Sequence, residues 1–255
     1  MIPRTFALLV VSALALAATA PARADDDFTP AQRGAIEKII KDYLLEHPEV
    51  LQDAMNALEK KQAAAEAEKA KTAIKENSDR IFNSPYQVTL GNPQGDVTFV
   101  EFFDYNCGYC KRAMADMFAL LDKDPKLKVV LKEFPVLGPG SVEAARVAVA
   151  VRMQDKGGAK YREFHQKLLG GRGQADKARA LAVAKEVGLD VARIEKDMKS
   201  DEVTNTINES MKLAEALGVN GTPSYVIGHG ADGDLVVGAV GLEALNKKID
   251  ASRTQ

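Results

Sequence analysis

The chain contains 255 residues, of which 46% are hydrophobic and 27% are charged, with 34 basic and 36 acidic side chains. A formal net charge of −2 gives no electrostatic basis for binding a nucleic acid or a membrane surface, and we expect no nucleic-acid partner. The hydrophobic content is sufficient for a buried core, and the length suits one domain with an extension.

Residues 1–24 have the pattern of a secretory signal peptide. Arg4 precedes an apolar run that begins at Phe6, and Ala22-Arg23-Ala24 is a small-x-small cleavage site. The run of about 15 residues is shorter than the roughly 20 that a membrane span needs, which favours cleavage over retention as an anchor. We therefore predict export to the periplasm with removal of this segment.

Residues 25–59 have the pattern of two short helices. Thr29 is the candidate N-cap of the first helix, with Gln32 in position for a capping box. Pro48 should end this helix near His47 and begin the second, because the residue before a proline disfavours the helical conformation. Apolar residues recur at helical spacing in both segments: Ile36, Ile39, Ile40, Tyr43, Leu44, Val50, Leu51, Met55 and Leu58.

These two helices contain too few apolar side chains to enclose a core, since domains below about 40 residues need additional stabilisation. Residues 60–83 are predicted to be a helical linker, in which Ala, Glu and Lys favour the helix but provide little to bury. Because this polar linker separates the apolar helices from the rest of the chain, we predict that residues 25–59 associate with other copies of the protein. A helical arm that folds back onto its own domain is the alternative.

Residues 84–255 have the pattern of an α/β domain. A helix from Cys107 to about residue 122 lies between two buried strand candidates, and such a strand–helix–strand unit makes the two strands parallel. A helical insertion is predicted at about residues 141–217, with Ser141 as a candidate N-cap, before a hairpin and a final helix from Leu242. The strand candidates are residues 86–90, 97–103, 127–134, 224–227 and 235–239.

Both cysteines of the chain, Cys107 and Cys110, lie in one CxxC motif. A disulfide between them would close too small a loop to stabilise the fold much, and the histidines are remote in sequence, whereas structural zinc usually takes four ligands. We therefore predict a reactive dithiol that uses no cofactor and no metal, and we expect His165 and His229 to be surface or loop residues. A structural or metal-binding CxxC is the alternative.

Cys107 follows a buried strand and begins a helix, where unpaired N–H groups and the helix dipole favour an anion. The thiolate is the attacking species in thiol–disulfide exchange, so Cys107 is the predicted nucleophile. Cys110 lies one turn further along the same helix face. It can resolve a mixed disulfide on Cys107 by attacking that sulfur.

Two further features accompany the CxxC motif. Glu101 interrupts an apolar strand six residues before Cys107, which predicts a buried carboxyl with a raised pKa that exchanges protons with a neighbouring thiol. A glutamate that faces solvent at the strand edge is the alternative. Thr222-Pro223 precedes a strand, where a cis bond would leave a backbone edge open to an extended substrate, although the local pattern does not distinguish cis from trans.

The order of these motifs resembles the DsbA-type branch of the thioredoxin superfamily over residues 84–251. The resemblance rests on Glu-Phe-Phe before Cys-Gly-Tyr-Cys, the helical insertion, and Gly-Thr-Pro-Ser-Tyr-Val-Ile-Gly. It implies an α/β thioredoxin-like fold and a protein thiol–disulfide oxidoreductase. It also implies a cis Pro223 that, with Thr222, faces the CxxC motif, and an acid at Glu101 beneath that motif.

The helical extension carries a second resemblance. Residues 43–51, with a Leu-Glu-Lys-Lys run at 58–61, are similar to the N-terminal segment of the suppressor-of-copper-sensitivity protein C (ScsC) group. This resemblance implies a trimer that acts as a disulfide isomerase. The Gly-Tyr dipeptide and Thr222 also resemble DsbC-type isomerases, whereas DsbA oxidases typically carry Pro-His.

The sequence therefore favours an oligomeric isomerase or reductase with an N-terminal helical oligomerisation segment. Its expected partners are cysteine-containing secreted proteins and a membrane redox partner that resets the dithiol. A monomeric dithiol oxidase is one alternative. A periplasmic protein that binds Cu(I) through its two thiolates is another, although the chain has no Met-rich or His-rich tract.

Overall fold

A computed structural model describes residues 28–155 and 158–254. The chain divides into two compact units between Leu58 and Glu59. The predicted signal peptide, residues 1–24, lies outside the described residues. Within the described ranges, no helix combines the length and the hydropathy that a membrane span needs.

The first unit consists of α1 (Pro30–Glu46) and the beginning of α2 (Glu49–Glu76). The predicted capping box at Thr29 is confirmed: its N–H donates to Gln32 Oε1 at 2.8 Å, and the Gln32 N–H donates to Thr29 Oγ1 at 3.3 Å. No residue of α1 is buried. Large apolar side chains are instead exposed throughout this unit: Phe28, Ile36, Ile39, Ile40, Tyr43, Leu45, Val50, Leu51, Met55 and Leu58.

The second unit begins with the rest of α2 and a short helix, α3 (Ser78–Phe82). Most of residues 60–76 are exposed, but the last two turns of α2 contact the core, because Ile74 is fully buried. Ile74 joins a hydrophobic cluster with Phe82 on one face of the sheet; its other members include Ile81, Val100, Phe102, Val130, Phe134 and Leu213. The segment is helical as predicted, and its end belongs to the folded domain.

A five-stranded mixed sheet with the order β1-β3-β2-β4-β5 forms the centre of this unit. The central pair, β2 and β3, is parallel as predicted, and the other pairs are antiparallel. Every residue of β2 is buried, which explains its nearly continuous apolar sequence. The strands are β1 (Val88–Gly91), β2 (Val97–Phe103), β3 (Leu127–Glu133), β4 (Ser224–His229) and β5 (Asp232–Val237).

Helices cover the sheet and form the predicted insertion. The insertion begins at Pro139 with Gly138 as N-cap, so the prediction of Ser141 as N-cap is wrong. Gly138 has a φ of 106°, which glycine adopts without strain, and this turn places Ser141 inside the first turn with a buried side chain. The helices are α4 (Gly108–Lys123), α5 (Pro139–Gln154), α6 (Ala159–Gly170), α7 (Lys177–Glu186), α8 (Val191–Asp197), α9 (Asp201–Ala216) and α10 (Leu242–Arg253).

Alternation along β2 decides which side chains face the CxxC motif. Val100 and Phe102 project into the cluster that contains Ile74, whereas Phe99 and Phe103 project into a larger cluster on the opposite face. Glu101 follows the second set, because residues two apart on a strand share a face. It therefore lies on the same side of the sheet as α4.

Candidate active site

Cys107 is the N-cap residue of α4, at the carboxyl end of β2. The N–H of Cys110 donates to its sulfur at 3.4 Å, so a backbone group of the first turn points at Sγ as the sequence predicts. The Cys107 thiol in turn donates to the carbonyl oxygen of Thr222 at 3.2 Å. Both cysteines are free thiols, and Cys107 is 7% exposed.

Cys110 lies deeper, with no exposed surface. Burial raises the pKa of its thiol, and the nearby negative charge of Glu101 raises it further. Glu101 is 2% exposed, and burial raises the pKa of its carboxyl to about 8. Its predicted burial is confirmed, and the alternative of a solvent-facing glutamate is wrong. Burial therefore favours the protonated form of both groups.

The Thr222–Pro223 peptide bond is cis. This loop precedes β4 and reaches the CxxC motif through the Cys107–Thr222 hydrogen bond. On its other side, the carbonyl oxygen of Pro223 accepts a hydrogen bond from the N–H of Gly238 at 2.8 Å. The structure thus gathers the five residues singled out in the sequence around one point, and their catalytic roles remain predictions.

Asp104 is a residue of this region that the sequence reasoning missed. Its buried carboxylate accepts four hydrogen bonds, from the N–H groups of Asn106 (2.7 Å), Val136 (2.8 Å) and Leu137 (2.9 Å) and from the Ser141 hydroxyl (2.7 Å). It therefore connects the loop before Cys107 to the loop between β3 and α5. The Asn106 N–H bond to the Asp104 side chain, two residues earlier, is that of an Asx-turn. An aspartate directly after a buried strand is the sequence pattern that indicates such a turn.

We expect Asp104→Asn to reduce the free energy of unfolding by about 2–3 kcal/mol. An amide has one acceptor oxygen instead of two, so buried N–H groups lose their charge-assisted partner. Urea unfolding followed by circular dichroism measures the change. The exposed Asp250→Asn is the control and should stay within about 0.5 kcal/mol of the unmodified protein. Equal stability of the two variants would contradict this role.

His165 is buried, and the expectation that it is a surface or loop residue is wrong. Its Nδ1 lies 3.3 Å from the hydroxyl of Tyr105, which in turn lies 3.3 Å from the hydroxyl of Tyr161. Tyr161 donates to Glu133 at 2.9 Å.

Burial lowers the pKa of His165 to about 3, so the imidazole is neutral. Tyr161, Phe164, His165 and Leu168 share the buried face of α6, a spacing that the sequence contains. His229 is exposed, at the end of β4.

A cleft of about 200 Å³ lies beside Cys107. It has the size of one or two amino-acid side chains and is lined by Tyr105, Asn106, Cys107, Gly108, Lys111, Leu168, Leu169, Gly171 and Gly173. A larger cleft of about 680 Å³ lies along β1 and contains none of the predicted site residues. In the part of the chain that the structure describes, no group of three or more His, Cys, Asp or Glu side chains could hold a metal.

Two family models match the chain. Residues 98–250, more than half of the sequence, match the DSBA-like thioredoxin domain. Residues 32–65 match the copper resistance protein ScsC N-terminal domain. The first match runs from Thr98 in β2 to Asp250 in α10 and includes both cysteines, and the second runs from Gln32 in α1 to Ala65 in α2.

Solved structures share the fold. A thioredoxin-like oxidoreductase from Silicibacter pomeroyi is 47% identical, with a TM-score of 0.65, and the match covers 70% of this chain and 99% of that one. Proteus mirabilis ScsC in a transitional conformation is 25% identical, with a TM-score of 0.63, and the match covers 89% and 98%. The predicted thioredoxin-like fold with N-terminal helices is confirmed.

Curated relatives include the probable disulfide bond formation protein D of Bacillus cereus, 25% identical over 69% of this chain and 83% of that protein. The Na(+)/H(+) antiporter NhaA 1 of Salinispora arenicola is 27% identical over 64% of this chain. The match spans only 24% of the antiporter's length. The chain belongs to the DSBA-like thioredoxin-domain family, and its N-terminal helices match the ScsC N-terminal domain.

Proposed function

We propose that this protein is a periplasmic disulfide isomerase or reductase that acts on secreted proteins with cysteine residues. The observation that carries the proposal is the position of Cys107, between the N-terminus of α4 and the Thr222 carbonyl, with buried Cys110 behind it. The first thiol can reach a substrate at the surface. The second is protected from other reactions until a mixed disulfide forms.

In the proposed mechanism, the Cys107 thiolate attacks one sulfur of a substrate disulfide. That disulfide breaks, a mixed disulfide forms on Cys107, and the other substrate sulfur leaves as a thiolate. A second substrate thiol can then attack the mixed disulfide, which rearranges the substrate and regenerates Cys107. Alternatively, Cys110 gives its proton to Glu101 and attacks Cys107, which releases a reduced substrate.

The cis Thr222–Pro223 loop is the proposed contact for the substrate backbone. The loop lies against Cys107 through the Thr222 carbonyl. An extended substrate segment beside this loop would bring its cysteine sulfur to Cys107. Thr222 and Pro223 are therefore proposed to hold the substrate, whereas Cys107 and Cys110 carry the chemistry.

The exposed apolar side chains of the first unit support the proposal of a homotrimer. Ile39 is 66% exposed and Leu45 is 71% exposed, and association with other copies would remove such surfaces from water. The match to the ScsC N-terminal domain covers these same helices. Several active sites in one assembly would raise the effective concentration for a substrate that stays bound to one of them.

Export by cleavage after residue 24 would place the protein in the periplasm, with a membrane redox partner to keep the dithiol reduced. A reductant is required chemically, because every substrate reduction leaves the Cys107–Cys110 pair oxidised, and the membrane partner is the proposed source of those electrons. Isomerisation consumes no electrons, but the pair must begin in the reduced state. The redox state of the pair in cells therefore reports which reaction dominates.

We expect removal of residues 25–58 to give a monomer that loses isomerase activity by about tenfold or more, because the shared substrate space is lost. Truncation at this point leaves Ile74 and the core of the second unit intact. Light scattering measures the mass, and reactivation of a scrambled disulfide protein measures isomerase activity. Reduction of a small disulfide should not change.

A point variant makes the same test without truncation. Leu51→Glu introduces a charge among the exposed apolar side chains, and Gln52→Glu on the next residue of α2 is its control. The first should dissociate the oligomer and the second should not. A monomeric mature protein that oxidises a reduced substrate faster than it repairs a scrambled one would instead identify a DsbA-type oxidase.

A further inference from the structure

The Tyr225 hydroxyl is a buried polar group that the proposed mechanism leaves unused. Tyr225 is 1% exposed, and its hydroxyl has no hydrogen-bond partner among the residues that the structure describes. The ring packs against Phe99, with 5.0 Å between the ring centroids. A buried hydroxyl without a partner destabilises a fold, and a phenylalanine would fill the same ring space without this penalty.

The strand register places Tyr225 beside the acid of the site. Tyr225 on β4 is the direct antiparallel partner of Glu101 on β2, and paired residues project their side chains to the same face of a sheet. That face also contacts Cys110 of α4. Burial is the main cause that raises the pKa of Tyr225, and the negative charges of Glu101 and Cys110 raise it further. The phenol is therefore a proton donor at neutral pH.

Asp116 is a partly exposed acid whose charge reaches this buried group. It lies on α4, six residues after Cys110, and is partly exposed. The negative charge of its carboxylate also raises the pKa of Tyr225, and Cys107 has a smaller effect in the same direction. Asp116 is therefore the partly exposed carboxylate whose charge acts on the Tyr225 hydroxyl.

The ionisable groups that most affect the pKa of Tyr225 raise it through negative charge: Glu101, Cys110, Asp116 and Cys107. Most charged side chains on the neighbouring elements are engaged with other partners, and Lys123 of α4 is exposed. On α10, Lys248 pairs with Asp234 of β5, Lys247 pairs with Glu243, and Arg253 pairs with Asp96, Asp124 and Asp250. Asp232 of β5 is exposed. On α4, Lys111 donates to the Gly171 carbonyl and Arg112 lies over the Tyr109 ring. A proton released by Cys110 therefore remains in a region of negative charge unless a route leads it outward.

We propose that the Tyr225 hydroxyl, together with a bound water molecule, forms the route by which the Cys110 proton passes from Glu101 to Asp116 and solvent. A buried water needs two to four polar partners, and the Tyr225 hydroxyl, the Glu101 carboxyl and the Cys110 thiol supply three. Tyr225 acts through Glu101 and is a positioning residue for the resolving step. The inference rests on the proposed roles of Cys107, Cys110 and Glu101.

The resolving step conserves atoms and electrons. Cys110 gives its proton to the Glu101 carboxylate, and the new thiolate attacks Cys107. The Cys107–Cys110 bond forms as the bond from Cys107 to the substrate sulfur breaks, and the substrate thiolate takes a proton from water. Two electrons thereby pass from the dithiol to the former substrate disulfide. Glu101 then loses its proton through the water and Tyr225, whose hydroxyl accepts one proton as it releases another.

The test is the reaction of the full-length reduced protein with dithiobis(nitrobenzoate), a chromogenic disulfide. One coloured thiolate is released when Cys107 attacks and a second when Cys110 resolves the mixed disulfide, so the two steps appear as separate phases. We expect Tyr225→Phe to leave the first phase unchanged and to slow the second about tenfold at neutral pH, less than the 10²–10⁴ of direct proton transfer. The deficit should shrink at high pH, where hydroxide removes the proton directly.

Two variants make the result decisive. Asp116→Asn should slow the second phase about threefold, a smaller effect because solvent can replace a surface acceptor. Tyr161→Phe removes another buried phenol hydroxyl, which bonds Glu133 and has no contact with Glu101 or Cys110 among the described hydrogen bonds, and should change neither phase.

An unchanged second phase in Tyr225→Phe, or equal slowing of both phases, overturns the inference. If Tyr225→Phe does not fold, Asp116→Asn decides: an unchanged second phase overturns the inference, and selective slowing supports it. Absence of both phases in the unmodified protein would overturn the proposed dithiol function, and the inference with it.

Discussion

Cys107→Ser is expected to abolish reduction and isomerisation of disulfide substrates, with a loss of at least about 10³-fold. A serine hydroxyl stays protonated at neutral pH and cannot attack a disulfide sulfur, whereas the thiolate is the reactive form of cysteine. Cys110 cannot replace Cys107, because it is fully buried and its raised pKa keeps the thiol protonated. Turnover of a small disulfide and reactivation of a scrambled protein both measure the loss.

Cys110→Ser is the matched control. It retains the attacking thiol and removes the resolving one, so it should accumulate mixed disulfides with substrates that nonreducing gels detect. Isomerisation by a second substrate thiol should partly survive in this variant, whereas net reduction should not. Full activity of Cys107→Ser would contradict the assignment of the nucleophile, and trapping by Cys107→Ser in place of Cys110→Ser would reverse the two roles.

The parts of the site that the sequence predicts depend on local patterns. Cys107 and Cys110 are close because they lie on one helix turn, and Glu101 lies beneath them because alternation along β2 directs it to the side of α4. A nearly continuous apolar strand followed by a helix predicts the shared helix turn of the cysteines and the burial of Glu101, whereas the place of Glu101 beneath the motif was implied by the family resemblance. The cis Thr222–Pro223 bond needed the family resemblance, because local sequence does not distinguish cis from trans.

Contacts between distant segments explain what the sequence did not predict. Asp104 receives hydrogen bonds from residues 32 to 37 positions away, and His165 is buried against Tyr105, 60 positions earlier. Ile74 is an isolated large apolar residue in the polar second half of α2, and its burial depends on Phe82 and the sheet. Each of these residues carries a local hint, but the partner that gives it a role lies elsewhere in the chain.

Glu101→Gln is expected to stabilise the reduced protein increasingly as the pH rises from 4.5 to about 8. Burial raises the pKa of Glu101 from 4.5 to about 8, so the folded state holds this proton more tightly than the unfolded state does. Stability from Glu101 is therefore fully present below about pH 4.5 and is lost as the pH rises through 8. Glutamine has no charged form and avoids this loss.

The shift corresponds to at most about 5 kcal/mol at 1.36 kcal/mol for each pH unit. Relaxation and water entry reduce the effective penalty of a buried charge, so we expect a gain of about 2–3 kcal/mol above pH 8. Urea unfolding of both proteins at several pH values measures it, and the difference between them isolates Glu101 from other titrating groups such as Lys132. The control, Glu243→Gln, replaces a side chain that is 85% exposed and should change stability little at any pH.

The same substitution separates burial from function. If Glu101 accepts the Cys110 proton, Glu101→Gln will slow the resolving step while it stabilises the fold, a trade between stability and activity. A stability gain without slower resolution would mean that the carboxyl is buried but transfers no proton. A pH-independent stability difference would contradict the raised pKa itself. The two readouts together therefore decide whether the acid beneath the CxxC motif is retained for proton transfer.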